Sequence, residues 1–232
     1  MSDPVQLLPL APISRPSVTD QVFDMLHAQV LTLELPPGAK LSEIEVARQM
    51  GVSRQPVRDA FYRLSKLGFL SIRPQRATTV SQISPGAVMR ARFIRTALEI
   101  ETVRAACGCL TEPDLQALEA LLQAQLAASD AGDHALFHRL DDSFHREICE
   151  RADLGFAWEM ISDNKAHMDR VRVLSLSFAS RQAYDDHVAI CAALRARDAE
   201  AATAAMRGHL SRIRDQITRI RAENRAFFTE EN

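Results

Sequence analysis

Residues 41–70 contain two helical patterns separated by little more than one glycine, and this spacing limits the folds open to the chain. The first pattern, "LSEIEVARQMG", has Ser42 in position to cap its start and Gly51 at its end. The second, "SRQPVRDAFYRLSKLG", follows at once, with Ser53 as its cap and Gly68 after its last turn. Two helices joined by so short a turn are typical of a helix-turn-helix, whose second helix enters the major groove of DNA.

The elements on both sides extend this pair to a winged helix-turn-helix. An earlier helix is predicted to begin at Ser17, with Asp20 completing its cap, and to end at the "PPG" break. After the third helix, "FLSIRP" and "TTVSQI" alternate as strands do on either side of a "QRA" tip, which predicts a small β-hairpin. From residue 84 onward the apolar residues recur at helical spacing. Six helices are predicted there, over residues 85–108, 113–129, 134–151, 156–177, 181–197 and 199–227. The predicted fold class is therefore mainly α, an N-terminal winged helix-turn-helix followed by an all-α six-helix bundle.

Charge is distributed unevenly along the chain. The formal net charge of −2 would by itself argue against a nucleic-acid partner. Residues 48–76, however, carry seven basic side chains and one acid, Asp59, so their net charge is 7 − 1 = +6. The basic residues are Arg48, Arg54, Arg58, Arg63, Lys66, Arg73 and Arg76. The average charge thus conceals a basic segment joined to an acidic body.

The exposed face of the third helix is predicted to carry Arg54, Gln55 and Arg58 in its N-terminal half. Arginine pairs bidentately with guanine and glutamine with adenine, so these side chains suit a recognition helix. The alternative is an ordinary solvated basic face, on which like charges four residues apart repel. The preceding helix, the +6 charge and the wing together favour DNA binding.

The stretch "LSEIEVARQMGVSRQPVRDAFYRLSKLGFL" resembles the winged-helix domain of the GntR family of bacterial transcription regulators. The resemblance covers roughly residues 17–82 and implies that Arg54 and Arg58 contact DNA. It also implies that Gln75 and Arg76 lie where the wing reaches the minor groove.

Two positions depart from the family's pattern. Ile44 occupies a place where many members have a DNA-contacting arginine, and Ala77 replaces a usual glycine at the wing tip. We therefore expect an operator that differs from the family's common sequence.

The second half of the chain resembles the all-helical effector domain of the FadR-like (FCD) branch of that family. The segments that carry the likeness are "ARFIRTALEIETVRAAC", "LDDSFHREI" and "YDDHVAICAALRARDAEAATAAMRGHL", within residues 85–215. The expected organisation is a leader over 1–16, a DNA-binding domain over 17–82 and an effector-binding and dimerisation domain over 83–228. A two-fold dimer is expected to bind a short palindromic operator in double-stranded DNA.

A set of possible metal ligands lies in this second half. Asp141 and His145 are four residues apart on one helix face, so both can bind the same ion. His187 and His209 follow on later helices. Taken singly, each histidine is more commonly a surface or core residue, which is also the interpretation for His27, His134, His138 and His167. The resemblance places Asp141, His145, His187 and His209 where many FCD domains bind a divalent metal; zinc, nickel, manganese and iron all suit such ligands.

Arg95 lies one turn before Glu99. From the spacing alone it forms a pair on the helix surface, but the resemblance places Arg95 in the effector cavity. A guanidinium beside a metal suits a carboxylate ligand, and Arg170 and Arg172 are further candidates for that role.

The favoured function is a DNA-binding transcription regulator, most simply a repressor, whose operator affinity is controlled by a small organic acid bound at the metal site. The alternative is a metal-dependent hydrolase or isomerase with a nucleic-acid module, in which Asp142 or Glu147 would be the general base, although no motif supports either residue. An architectural DNA-binding protein would leave the metal ligands unexplained.

The remaining expectations concern the cell compartment. No apolar run approaches the length that crosses a bilayer, so no membrane partner is expected. The four cysteines lack zinc-ligand spacing and are expected to be buried and reduced in a bacterial cytoplasm; they are Cys107, Cys109, Cys149 and Cys191.

Overall fold

The computed structural model describes residues 16–73 and 75–230, and most of them lie in α-helices. The helices are α1 (Val18–Leu31), α2 (Glu43–Met50), α3 (Arg54–Lys66), α4 (Pro85–Cys109), α5 (Glu112–Asp130), α6 (His134–Arg151), α7 (Gly155–Arg195), α8 (Ala199–Ser211) and α9 (Ile213–Glu223), followed by a 3-10 turn at Arg225–Phe227. The strands are β1 (Lys40–Leu41), β2 (Leu70–Ser71) and β3 (Thr78–Val80). The mainly α fold class predicted from the sequence is confirmed.

The described chain divides into two compact units. One contains the described residues up to Ala28 together with Lys40–Thr79, and the other contains Gln29–Ala39 and the described residues from Val80 onward. The leader predicted over residues 1–16 lies outside the described residues, apart from its last residue.

The first unit is a winged helix-turn-helix, as predicted. The cap of α1 is the expected pair, in which the Asp20 amide donates to Ser17 Oγ at 3.1 Å and Ser17 Oγ donates to Asp20 Oδ2 at 2.7 Å. Gly51 ends α2 with φ = 66°, a left-handed conformation that glycine adopts without strain. The apolar side of α3 is buried, and Val57, Ala60, Phe61 and Leu64 form it.

The wing has a third strand that the sequence analysis did not predict. The sheet order is β1-β3-β2, and β1 pairs antiparallel with β3, so that Lys40 faces Thr79 and Leu41 faces Thr78. A two-residue strand has no alternation to recognise, since the pattern of a half-buried strand needs at least four residues. The prediction of a hairpin alone was therefore incomplete.

Among the described residues the second unit contains six helices, the number expected, but at two places they divide the chain differently from the prediction. The break predicted at "FAS" is wrong, because α7 runs through it as one helix of 41 residues. Ala179 and Ser180 are buried within it, and Ser180 Oγ hydrogen-bonds Ser129 Oγ of α5 at 3.2 Å. The helix predicted over 199–227 instead divides at Arg212, whose amide bonds the carbonyl of His209.

The long helix α7 lies at the centre of this unit, packed against α4, α5, α6, α8 and α9. Its central position explains why it has buried charged residues as well as apolar ones. The main apolar core includes Ile100, Val103, Leu118, Phe144, Ile190 and Met206. Cys109 is exposed, so the expectation that all four cysteines are buried was wrong for this one. None of the described helices is long and apolar enough to span a membrane.

Candidate functional site

Four side chains from three helices of the second unit meet at one point. They are the four predicted metal ligands, with Asp141 and His145 on α6, His187 on α7 and His209 on α8; one donor atom from each lies within 4.8 Å of the others. His187 Nε2 is 3.6 Å from Asp141 Oδ1 and 3.4 Å from His209 Nε2, and His145 Nε2 is 3.8 Å from Asp141 Oδ2. Three imidazole Nε2 atoms therefore converge on one carboxylate.

Each of these histidines turns its other ring nitrogen, Nδ1, to an oxygen acceptor. The pairs are His145 with Glu99 Oε2, His187 with Gln125 Oε1 (2.8 Å) and His209 with Asp186 Oδ2 (3.4 Å). An acceptor at Nδ1 holds the proton there and leaves the lone pair of Nε2 free for a metal. Neither Gln125 nor Asp186 was predicted from the sequence, and Glu99 was predicted only as a partner of Arg95. No local motif links these acceptors to their histidines.

The orientation of Gln125 is fixed by a second contact. Its Nε2 donates to the carbonyl of Leu140 at 3.1 Å, so its Oε1 must face His187. The side chain is completely buried on α5, where an unpaired amide would be costly. The amide therefore determines which nitrogen of His187 carries the proton.

Electrostatics keep this cluster in the protonation states that a metal requires. Burial lowers the pKa of His145, and it lowers the pKa of His187 well below the ordinary value, so both rings stay neutral. Burial alone would raise the pKa of Asp141, but the positive charge of Arg172 beside it outweighs burial and holds this pKa well below its usual range. His145 Nε2 is buried and, among the described residues, has no hydrogen-bond partner. Neutral imidazoles, a carboxylate and this unpaired nitrogen fit a divalent ion.

Two buried arginines border the cluster and line a cavity beside it. Arg95 is only 2% exposed; its Nε donates to Glu99, and its Nη2 is buried without a hydrogen-bond partner among the described residues. Arg172 contacts Asp141 through Nη2 and Asp142 through Nη1 at 3.0 Å. Asp141 and both arginines line the cavity, whose free space of about 50 Å³ admits a few water-sized groups.

The structure thus separates the arginines that the sequence analysis grouped. Arg95 and Arg172 lie at the cavity, and the pair that Arg95 makes with Glu99 is buried rather than on a helix surface. Arg170 does not line this cavity; its Nη2 donates to the carbonyl of Ser81 at 2.8 Å.

In the first unit, Arg54 and Arg58 lie side by side on the exposed face of α3. Glu43, in the first turn of α2, stands between them, with its Oε2 at 3.6 Å from Arg54 Nη2 and 3.4 Å from Arg58 Nη2. Its negative charge offsets the repulsion between the two guanidinium groups, which remain more than half exposed. Gln55 is exposed as well and donates to Asp59 at 2.9 Å. The contact of Glu43 with these arginines was not predicted from the sequence, because Glu43 lies on a different helix.

The wing residues are also exposed. Gln75 has φ = 58°, the left-handed conformation of a tight turn, and Arg76 follows it just before β3. Ile44 is 61% exposed on α2.

The +6 charge counted for residues 48–76 overstates the basic surface. Arg48 pairs with Glu45 at 2.6 Å and Arg63 with Asp20 at 2.8 Å. Both acids lie outside the counted segment.

Each of the two units contains a match to a known protein family or domain. Residues 18–80 match the family described as bacterial regulatory proteins, gntR family, and residues 91–212 match the FCD domain. The chain belongs to the GntR family. It is a DNA-binding regulator of the FCD type.

Curated relatives match this chain over most or all of its length. The chain is 37% identical to the HTH-type transcriptional repressor RspR of Escherichia coli K12, over the full length of both. It is 30% identical to the probable D-xylose utilization operon transcriptional repressor of Paenarthrobacter nicotinovorans, covering 86% of this chain and 88% of that one. Among solved structures, E. coli McbR/YncC is similar, with a TM-score of 0.71, 27% identity and coverage of 90% of this chain and 99% of that chain.

Proposed function

We propose that this GntR regulator is a repressor whose operator affinity is set by a small carboxylate bound at a divalent metal site. The metal ligands are Asp141, His145, His187 and His209. The observation that carries the proposal is that three Nε2 atoms and a carboxylate converge beside two buried arginines, one of which has an unpaired buried nitrogen. The relatives described as repressors support the direction of control.

The chemistry of the cavity indicates the class of effector. A bound divalent ion would supply a Lewis-acidic centre that a carboxylate oxygen can coordinate. Arg95 Nη2 offers a donor for the same ligand, and a guanidinium fork suits a carboxylate bidentately. Arg172 adds positive charge at the cavity wall. The small free space favours a compact acid over an extended one.

The DNA interface in this proposal consists of α3 and the wing. Arg54, Gln55 and Arg58 read base edges from α3, while Gln75 and Arg76 reach the minor groove. Support comes from their exposure and from Glu43, which holds both α3 arginines near one carboxylate oxygen. We retain residues 17–82 as the DNA-binding domain and 83–228 as the effector and dimerisation domain of a cytoplasmic homodimer.

For the alternative, a metal-dependent hydrolase or isomerase, neither of the two carboxylates considered as its general base is free in the described structure. Asp142 accepts hydrogen bonds from Lys165 at 2.7 Å and from Arg172 at 3.0 Å. Glu147 is bound to Arg151 at 2.7 Å. A carboxylate held in ion pairs is a poor acceptor for the proton of a water nucleophile. Regulation is therefore the function that these contacts favour.

Metal analysis and operator binding test the proposal together. An operator is first selected from random double-stranded DNA with the purified protein, and the bound metal is measured by elemental analysis. Operator titrations then compare acetate, lactate, malonate, succinate and citrate. We expect about one divalent ion per chain and a change in operator affinity of at least about fivefold with at least one acid. A protein without bound metal, or one indifferent to every acid, would contradict the proposal.

A further inference from the structure

The segment that leads into the effector domain is paired with the C-terminal end of the same unit. We call residues 81–84 the linker and residues 225–229 the strap. The amide of Ile83 donates to the carbonyl of Phe227 at 2.7 Å, and the amide of Thr229 donates to the carbonyl of Ile83 at 3.0 Å. Gln82 Nε2 donates to the carbonyl of Ala226 at 3.0 Å. The two segments thus form a short parallel bridge.

Apolar packing holds this bridge in place. Ile83 of the linker and Phe228 of the strap are almost completely buried, at 1% and 2% exposed. They belong to one apolar cluster that also contains Met168 and Val171 of α7. Burying a phenylalanine and an isoleucine side chain stabilises the folded state, so the strap is part of the folded unit.

The side chain of Arg170, on α7, also holds the linker. Its side chain is 0% exposed, and its Nη2 donates to the carbonyl of Ser81, while Nε and Nη1 have no hydrogen-bond partner among the described residues. No described carboxylate pairs with it, and burial lowers its pKa to about 10. A buried guanidinium without an acid is costly, and an apolar residue would suit this place better for stability alone. A role other than stability is therefore indicated for Arg170.

The position of Arg170 along α7 connects it to the candidate metal site. Asp169 and Arg172 lie on the same helix within two residues of it, and Arg172 contacts the metal-ligand candidate Asp141. Since helices move as rigid elements, a displacement of this stretch of α7 at the cavity is transmitted to Arg170 and hence to Ser81.

We propose that Arg170 and the strap form a coupling device that fixes the linker to α7, so that ligand binding at the cavity changes the position of the chain leading to β3 and the DNA-binding unit. The inference rests on the proposed function, because it concerns how that response is transmitted. The device transmits a signal only if the ligand binds one position of α7 better than another.

The main test replaces Arg170 by methionine in the full-length protein. Arg170→Met removes the donor to Ser81 and the buried charge but keeps the volume, so we expect an unchanged or raised melting temperature. Metal content and operator affinity without effector should stay within about twofold of the wild type. The change in operator affinity caused by the most effective acid of the panel above should fall from at least about fivefold to below twofold. Arg181→Met changes an exposed residue on the same helix and is the control. Its operator affinity should change with the acid as much as that of the wild type.

A second variant tests the strap itself. Phe228→Ala should abolish the same response at temperatures below its melting point, and it should accelerate hydrogen exchange at the amide of Ile83, which the strap protects. A full response in Arg170→Met, with metal bound, would overturn the coupling device while leaving the proposed function intact. A wild type that ignores every acid would overturn the proposed function, and the device with it.

Discussion

At the scale of single residues, the proposed DNA-reading face of α3 has one acid placed between two bases. Glu43 approaches both Arg54 and Arg58, so its carboxylate offsets the repulsion between the two guanidinium groups. The sequence predicted the two arginines from their helical spacing. It did not predict Glu43, because that contact joins two helices whose relative position is decided by packing.

Replacing Arg58 tests the recognition helix. Arg58→Ala should lose about 1–3 kcal/mol of specific operator binding for each bidentate contact removed, and it should relax discrimination at that base pair. Lys66→Ala, at the end of the same helix, should instead weaken binding to all sequences alike. Competitive titrations with operator and mutated operators measure both effects. Unchanged discrimination in Arg58→Ala would show that another element reads the bases.

Replacing Gln125 tests the histidine tautomer. Gln125→Met removes the acceptor for His187 Nδ1 while keeping the side-chain volume, and metal affinity should fall about 10–100-fold. Competition with a chelator of known affinity gives this number. Gln116→Met changes an exposed residue of the same helix and should leave metal affinity as it is. Equal affinities in the two variants would mean that Gln125 only fills space.

The buried histidines also predict how stability depends on pH. Burial lowers the pKa of His145 and His187 in the folded protein below the ordinary value of 6.5. Below that value the unfolded chain binds protons that the folded one does not, so the free energy of unfolding should fall as the pH drops from about 6.5. Urea titrations at pH 7.5 and 5.5, in the presence of a chelator, test the direction of this change in the free energy of unfolding. A protein that is more stable at pH 5.5 would contradict it.

The four metal-ligand candidates were found from the sequence because two share a helix turn and all four match a family pattern. Their acceptors Glu99, Gln125 and Asp186 lie on α4, α5 and α7, and only the packing of those helices brings them to the rings.

At the scale of elements, α7 determines how the second unit is built. It supplies His187 to the site, and it continues through the point where the sequence indicated a loop. The segment "FAS" contains no glycine or proline, and what holds it helical is burial between neighbouring helices, which local sequence does not reveal. The strand β1 was missed because its two residues show no alternation, and its partner β3 lies far away in the chain.

A proline at Arg181, directly after the predicted break, tests whether α7 is continuous. Arg181→Pro should cost about 3 kcal/mol or more, because proline removes a helical hydrogen bond and clashes with the preceding turn. Arg181→Ala should change stability by less than about 0.5 kcal/mol, since the side chain is exposed. Chemical denaturation of both variants gives the difference. Similar stabilities would place a loop, not a helix, at this position.

At the scale of the whole molecule, the account requires two copies acting on one operator. A single recognition helix offers few base contacts, so tight selection needs two helices on symmetric half-sites. Sedimentation of the protein with and without selected DNA should show a dimer, and footprinting should show a palindrome. A monomer on a non-symmetric site would contradict this part of the account.

In the proposed function, the metal site controls DNA binding without forming part of the DNA interface. The most direct measurement is an operator titration of His187→Ala, with and without the most effective carboxylate, alongside its metal content. His134→Ala, an exposed histidine at the start of α6, is the matched control. We predict that the His187→Ala protein stays folded, loses its metal and its response to the carboxylate together, and binds the operator as the unliganded wild type does. A variant that loses the metal but responds in full would show that the ion has no part in the signal.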